Sequence, residues 1–178
     1  MPDPWNAAWE EAEASCRTDI VVYDTLELQH PAIQDEEGAA KPARIVNDVL
    51  ERTFGIEAGA LFNPGAPAVF FPSAFGAAFP EYAEGQIPQC EITIDNVARE
   101  LTAYLEAAVG YSADLKAIFR QYSSEDTSEP IYGPVEFIIR SVRVSGTTIR
   151  GTARVSNLAD KKFPTRVYTR SKFPGLVR

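Results

Sequence analysis

One histidine, His30, and two cysteines, Cys16 and Cys90, are the residues whose chemistry most often builds an active site. A Ser-His-Asp or Cys-His pair would have to use His30 as its base. His30 is followed by Pro31 and sits among turn-forming residues, and neither cysteine is marked locally as its partner. Cys16 follows an expected helix, while Cys90 falls on the apolar side of an expected strand. The cysteines are too few for a disulfide scaffold and lack metal-ligand spacing. Neighbouring carboxylates, Glu36/Glu37 and Glu125/Asp126, lie in polar loops where charge is most often simply solvated. The Asp35–Glu37 run lacks the spaced oxygen ligands and turn glycine of a calcium loop. There is no phosphate-cradling glycine loop and no dinucleotide fingerprint. The reading is therefore of a non-enzyme with no metal and no cofactor.

The elements are legible from periodicity. The chain is organised around Ile87–Gly110, where Cys90, Ile92 and Ile94 alternate with Glu91, Thr93 and Asp95 as in a half-buried strand. At Asp95-Asn96 the period changes, and Val97, Leu101, Tyr104, Leu105 and Ala108 form a helical stripe stopped by Gly110. This predicts a packed helix over about 97–109. Asp3-Pro4 followed by Trp5, Ala8, Trp9 and Ala12 predicts an N-terminal helix over 4–16. Further strands are expected from Ile20 to about Leu28, over Ala43–Val49, about Ala68–Pro72, and over Asp114–Tyr122. Two clearer strands, Val135–Val144 and Thr147–Ser156, should join through Ser145-Gly146 as a hairpin. Arg140, Arg143, Arg150 and Arg154 would lie on its exposed side. The fold expected is α+β and mainly β, an antiparallel barrel or sandwich of roughly seven or eight strands. One domain spans 1–164, followed by an extended basic arm at 165–178.

Charge is unevenly placed. The net of −8 divides into 24 acidic and 7 basic side chains over 1–136, against 1 acidic and 10 basic over 137–178. Such opposite ends either pair within the monomer or bring copies together, acidic face to basic face. The overall acidity opposes sequence-specific nucleic-acid reading. From Thr53 to Gly85 the pattern loosens. Six of the ten phenylalanines lie there with no Lys or Arg, either covering a core or awaiting a neighbouring subunit. Subunit-interface candidates are Phe70, Phe71, Phe75 and Phe79 from this stretch. From the arm they are Arg166, Tyr168, Lys172, Phe173, Pro174 and Leu176. No apolar run reaches the roughly 20 residues needed to span a bilayer, and the acidic N-terminus is unlike a secretory signal.

Several stretches resemble domain-of-unknown-function family 1833, phage proteins encoded among tail genes. They are T-L-E-L-x-H-P at Thr25–Pro31, R-I-V-N-D at Arg44–Asp48, I-P-x-x-x-I-T-I-D-N-V at Ile87–Val97, the hairpin ending near Val155, and R-x-Y-T-x-x-x-F-P-G-L at Arg166–Leu176. More distantly, the plan resembles the N-terminal part of the lambda-type tail-tip hub protein L. The Cys-rich part that holds an iron–sulfur cluster in that family has no counterpart, so no cluster is assigned. The resemblance implies a structural component of a long, non-contractile phage tail. It would be a minor tail or distal tail hub protein forming a ring, trimeric or hexameric, that links tail tube to hub or baseplate. Implied partners are copies of itself and neighbouring tail-tube, distal-tail and hub or central-fibre proteins. Genomic DNA would only pass through the channel, whose acidic wall would repel phosphate, and there would be no membrane binding. The virion tail tip is the implied location, after synthesis in the host bacterial cytoplasm. A tail assembly chaperone or completion factor and a tail-associated cell-wall hydrolase are the alternatives.

Overall fold

In the computed structural model, the described residues are 20–35, 37–78, 89–95 and 113–155. The helices expected at 4–16 and 97–109, the arm at 165–178 and Phe79 lie outside them. Nine strands carry 59% of the described residues, with no helix among these. They are β1 Val22–Gln29, β2 Ala43–Val46, β3 Arg52–Gly55, β4 Pro67–Pro72, β5 Phe75–Ala78, β6 Gln89–Asp95, β7 Leu115–Ser123, β8 Tyr132–Ser145 and β9 Thr148–Val155. They form one open sheet in the order β3-β4-β2-β1-β7-β8-β9-β6-β5. All pairs are antiparallel except β2 with β4, which run parallel with Ile45 beside Phe71.

Alternation along β1 and β7 decides how this sheet folds over. Leu26, Leu28, Ala117 and Phe119 point to one face, where they join Ile92, Ile94, Phe137, Ile139 and Ile149 in the larger core. Tyr122 points to the other face, into a second core with Val46, Phe54, Ile56, Ala68 and Phe70. Strands four places apart in a flat sheet would be separated by roughly 19 Å. Yet the rings of Phe54 on β3 and Tyr122 on β7 stack with centroids 4.4 Å apart. On the opposite face, Leu28 of β1 and Ile92 of β6, again four places apart, line one small apolar pocket. The sheet therefore curls twice, in opposite senses, around β1 and β7. Burying both faces of β1 makes Thr25 through Gln29 a run of five buried positions.

Backbone details fix the curls. Phe119 lies opposite Val135 and Gln121 opposite Tyr132, so Gly133 and the cis-linked Pro134 together face Arg120 as a bulge. The strand thus starts at Tyr132, three residues before the Val135 expected from sequence. A second irregularity lies between Ile139 and Ser141 on β8. The closing edge of the smaller curl is made at Gly55. Its N–H donates to the Thr127 carbonyl at 2.8 Å, and its carbonyl accepts the Tyr122 hydroxyl at 2.8 Å. A Cβ at Gly55 would stand 1.9 Å from the Ser128 carbonyl oxygen, so only glycine allows this approach. The β8–β9 turn is Gly146-Thr147, one residue later than expected, with Gly146 at φ 59°.

Candidate functional site

The most chemically loaded place in the described structure lies under the smaller curl, and it is built by register. Glu27 on β1 sits directly opposite Arg44 on β2, and Thr25 directly opposite Arg120 on β7. Glu27 and Arg120 are thereby diagonal neighbours on one face, within reach of long side chains. Arg120 Nη1 donates to Glu27 Oε2 at 3.2 Å, and Arg44 Nε donates to the same oxygen at 3.0 Å. Gln29 Nε2 donates to Glu27 Oε1 at 2.6 Å. The loop after β3 delivers Glu57, whose two oxygens accept Arg120 Nε and Nη2 at 2.8 Å each. Arg44 also donates through Nη2 to Asn63 Oδ1 at 3.1 Å and lies over the Phe70 ring. The Thr25 hydroxyl donates to the Arg120 carbonyl at 2.9 Å.

The Glu27 and Arg120 side chains are both 0% exposed, and Glu57 is 23% exposed. Two carboxylates and two guanidiniums make this group neutral, which is what lets so much charge leave water. Burial alone would raise the Glu57 carboxyl. The hydrogen bonds and charge of Arg120, with Arg44 behind it, outweigh that and hold it below the ordinary glutamate range. Burial likewise works against the Arg120 cation, and Glu57 and Glu27 overcome it, raising its pKa. The Tyr122 hydroxyl beside them is pushed up, chiefly by burial. Every carboxylate oxygen of Glu27 and Glu57 already accepts a donor. The arrangement therefore works as a clamp that ties the loop after β3 to β1, β2 and β7.

The residues singled out in the sequence are dispersed. His30 holds a turn: its Nδ1 accepts the Ala32 N–H at 3.0 Å, and its Nε2 lies 3.2 Å from the Ala113 carbonyl. Cys90 is buried on β6, and that burial pushes its thiol up to about 11. Asp126 folds back on Ser128, which donates to it from backbone N–H and hydroxyl. Of the interface candidates, Phe70 and Phe75 require correction. Phe70 is fully enclosed in the smaller core, and Phe75 lies in the larger one. The alternation of β4 turns Phe70 inward and leaves Val69 and Phe71 outward, 46% and 54% exposed. Val49, Leu50 and Leu61, in the loops flanking β3, are exposed too. Arg166, Tyr168, Lys172, Phe173, Pro174 and Leu176 lie outside the described residues.

Sequence reading missed Glu27, Arg44, Glu57 and Arg120 as a group. Alternation sets Glu27 apart from Leu26 and Leu28, and Arg120 apart from Ala117 and Phe119, but does not bring the two together. One signal was present: Glu27 and Arg44 each stand inside a stretch that carries the family resemblance.

Architecturally, this is a mainly β chain on a single twice-curled sheet, with an ion-paired clamp under its smaller curl. It belongs to the family described as "Domain of unknown function (DUF1833)", whose model matches residues 8–168. No curated protein matches the chain.

Proposed function

We propose that the chain is a structural subunit of a long-tailed phage tail tip, a minor tail or distal tail hub protein that forms a ring linking tail tube to hub or baseplate. In this reading the two curls are incomplete β-barrels sharing β1 and β7, and the chain works by assembly rather than turnover. The observation that carries it is the divided use of the phenylalanine-rich stretch. Phe54 and Phe70 fill a core from within, while Val69 and Phe71 on the same hairpin present apolar surface to solvent. An apolar strand face mounted on a clamped hairpin is suited to a neighbouring subunit. The family resemblance supplies the tail as the setting, and copies of the chain and adjacent tail proteins as neighbours.

The test replaces Val69 and Phe71 together by serine in the phage or prophage that carries the gene. The variant should unfold at nearly the wild-type denaturant midpoint, because neither side chain is in a core. Its tails should fail to mature, and mass spectrometry should find wild-type chain, but not variant, in purified particles. Normal infectious yield from the variant, or finished wild-type particles without the chain, would refute the assignment.

A further inference from the structure

Four large apolar side chains are exposed at the end of the smaller curl where β1 begins. Val21 and Val22 lead into β1 and are 54% and 36% exposed. Val49 and Leu50, in the loop between β2 and β3, are 86% and 61% exposed. Two contacts bring these pairs to one place. Asn47 N–H donates to the Asp24 carbonyl at 2.9 Å, and Arg52 lies over the Tyr23 ring, 5.0 Å from its centroid. The loop therefore runs alongside the start of β1. Both parts are braced. The Asp48 carboxylate accepts the Val49 N–H at 2.6 Å and Arg52 Nε at 2.7 Å. Val21 N–H donates to Ser124 Oγ at 3.0 Å, and the Val21 carbonyl accepts the Ser124 N–H at 2.8 Å. An apolar patch held out on a fixed backbone is a preformed seat.

The chain enters β1 from residues 1–19, which lie outside the described structure. The spacing of Trp5, Ala8, Trp9 and Ala12 predicts a helix over 4–16 with one apolar stripe. A helix of that length, about 20 Å, is marginal in water on its own. Its stripe needs an apolar seat. Only Arg17, Thr18 and Asp19 separate it from Ile20, and three residues span at most about 11 Å. Val21, Val22, Val49 and Leu50 are thus within its reach. We propose that the Trp5–Ala12 stripe docks on the Val21–Val22–Val49–Leu50 patch of its own chain. A tether this short gives an effective concentration on the order of millimolar, which outcompetes a second copy at micromolar concentration. The apolar residues of the C-terminal arm start at Val167, behind a longer link of eleven residues, 156–166. Docking adds a helical layer where the sheet's own side chains leave an end uncovered.

Trp5 and Trp9 are the two tryptophans of the chain, so tryptophan emission reports on this segment alone. In the full chain it should be blue-shifted, and quenched by acrylamide several-fold less efficiently, compared with a synthetic peptide of residues 1–19. Val49→Ser with Leu50→Ser should weaken docking by about tenfold or more, moving both readouts toward those of the peptide. Cooperative unfolding should persist, because neither side chain belongs to a core. Ala8→Glu with Ala12→Glu should produce the same loss from the segment's side. Val69→Ser with Phe71→Ser should change neither readout. Wild-type emission and quenching equal to the peptide's would overturn the proposal, as would protection that survives either of the first two double variants. Protection lost on Val69→Ser with Phe71→Ser would seat the segment on β4 instead, overturning this docking and counting against that face as one kept for a neighbour. Protection lost on dilution would assign the patch to a second copy and overturn docking within the chain.

Discussion

Replacing Arg120 by methionine keeps most of the side-chain volume and removes the centre of the clamp. Three donated contacts disappear, two to Glu57 at 2.8 Å and one to Glu27 at 3.2 Å. The two carboxylates do not suffer equally. Glu57 is 23% exposed and can turn to water, whereas Glu27 is fully enclosed and keeps only Arg44 and Gln29. Removing one partner of a buried ion pair costs about 3–5 kcal/mol, most of it from the charge left behind. Against a total stability of about 5–15 kcal/mol this is a large fraction. With a urea slope near 2 kcal/mol/M, the midpoint followed by circular dichroism should fall by about 2 M. Adding Glu27→Gln to Arg120→Met removes the stranded charge. The double variant should then be more stable than the sum of the single losses by about 1–3 kcal/mol. Arg120→Lys should fall between, because an ammonium keeps the charge but cannot grip Glu57 with two parallel bonds. A loss under about 1 kcal/mol for Arg120→Met, or strict additivity with Glu27→Gln, would refute the view that these groups act as one unit.

Two further outcomes follow from the same region. Because the folded-state pKa of Glu57 is depressed, its stabilising effect is present at neutral pH and is lost as pH falls below about 4. Urea midpoints measured from pH 7 to pH 3 should drop, and Glu57→Gln should flatten part of that fall. Gly55→Ala should destabilise by about 1–3 kcal/mol or more through overpacking, since its Cβ would meet the Ser128 carbonyl and push the loop before β8 away. Thermal unfolding reads that loss directly.

How much was legible in advance divides along one physical line. Long alternating runs announced themselves: β6, β7, β8 and β9 were placed from period-two patterning within about two residues at each end, apart from the three-residue earlier start of β8. The short strands β3 and β5 were not. Arg-Thr-Phe-Gly and Phe-Gly-Ala-Ala are four residues each, with glycine inside, too little side chain to show a period. They become strands because a partner strand supplies the hydrogen bonds. In the phenylalanine-rich stretch, Phe54 and Phe70 fill a core, while Val69 and Phe71 stay exposed. Phe70 and Phe71 are neighbours in sequence, and only the pairing of β4 decides which is enclosed. The clamp was hidden for a related reason. Alternation shows that Thr25, Glu27 and Gln29 share a face, but not that a second curl closes over that face.

That second curl gives the clamp a role beyond stability. On β1, Leu26 and Leu28 face one core while Thr25, Glu27 and Gln29 face the other enclosure. A strand buried on one side alone is held in register by the cost of exposing its apolar residues. Here a slip of one residue would do more. It would drive Glu27 among Phe119, Ile92 and Phe137, and an uncompensated carboxylate there costs several kcal/mol. The same slip would separate Glu27 from Arg44 and Arg120, loosening Glu57 and the loop after β3. The charged group therefore ties the register of the central strand to the seating of the β3–β4 hairpin. Since Val69 and Phe71 ride on that hairpin, the internal ion pairs determine how the outer apolar face is presented. If the chain assembles as proposed, Arg120→Met should impair assembly at temperatures where the variant remains folded, a coupling that a surface acting independently of the clamp would not show.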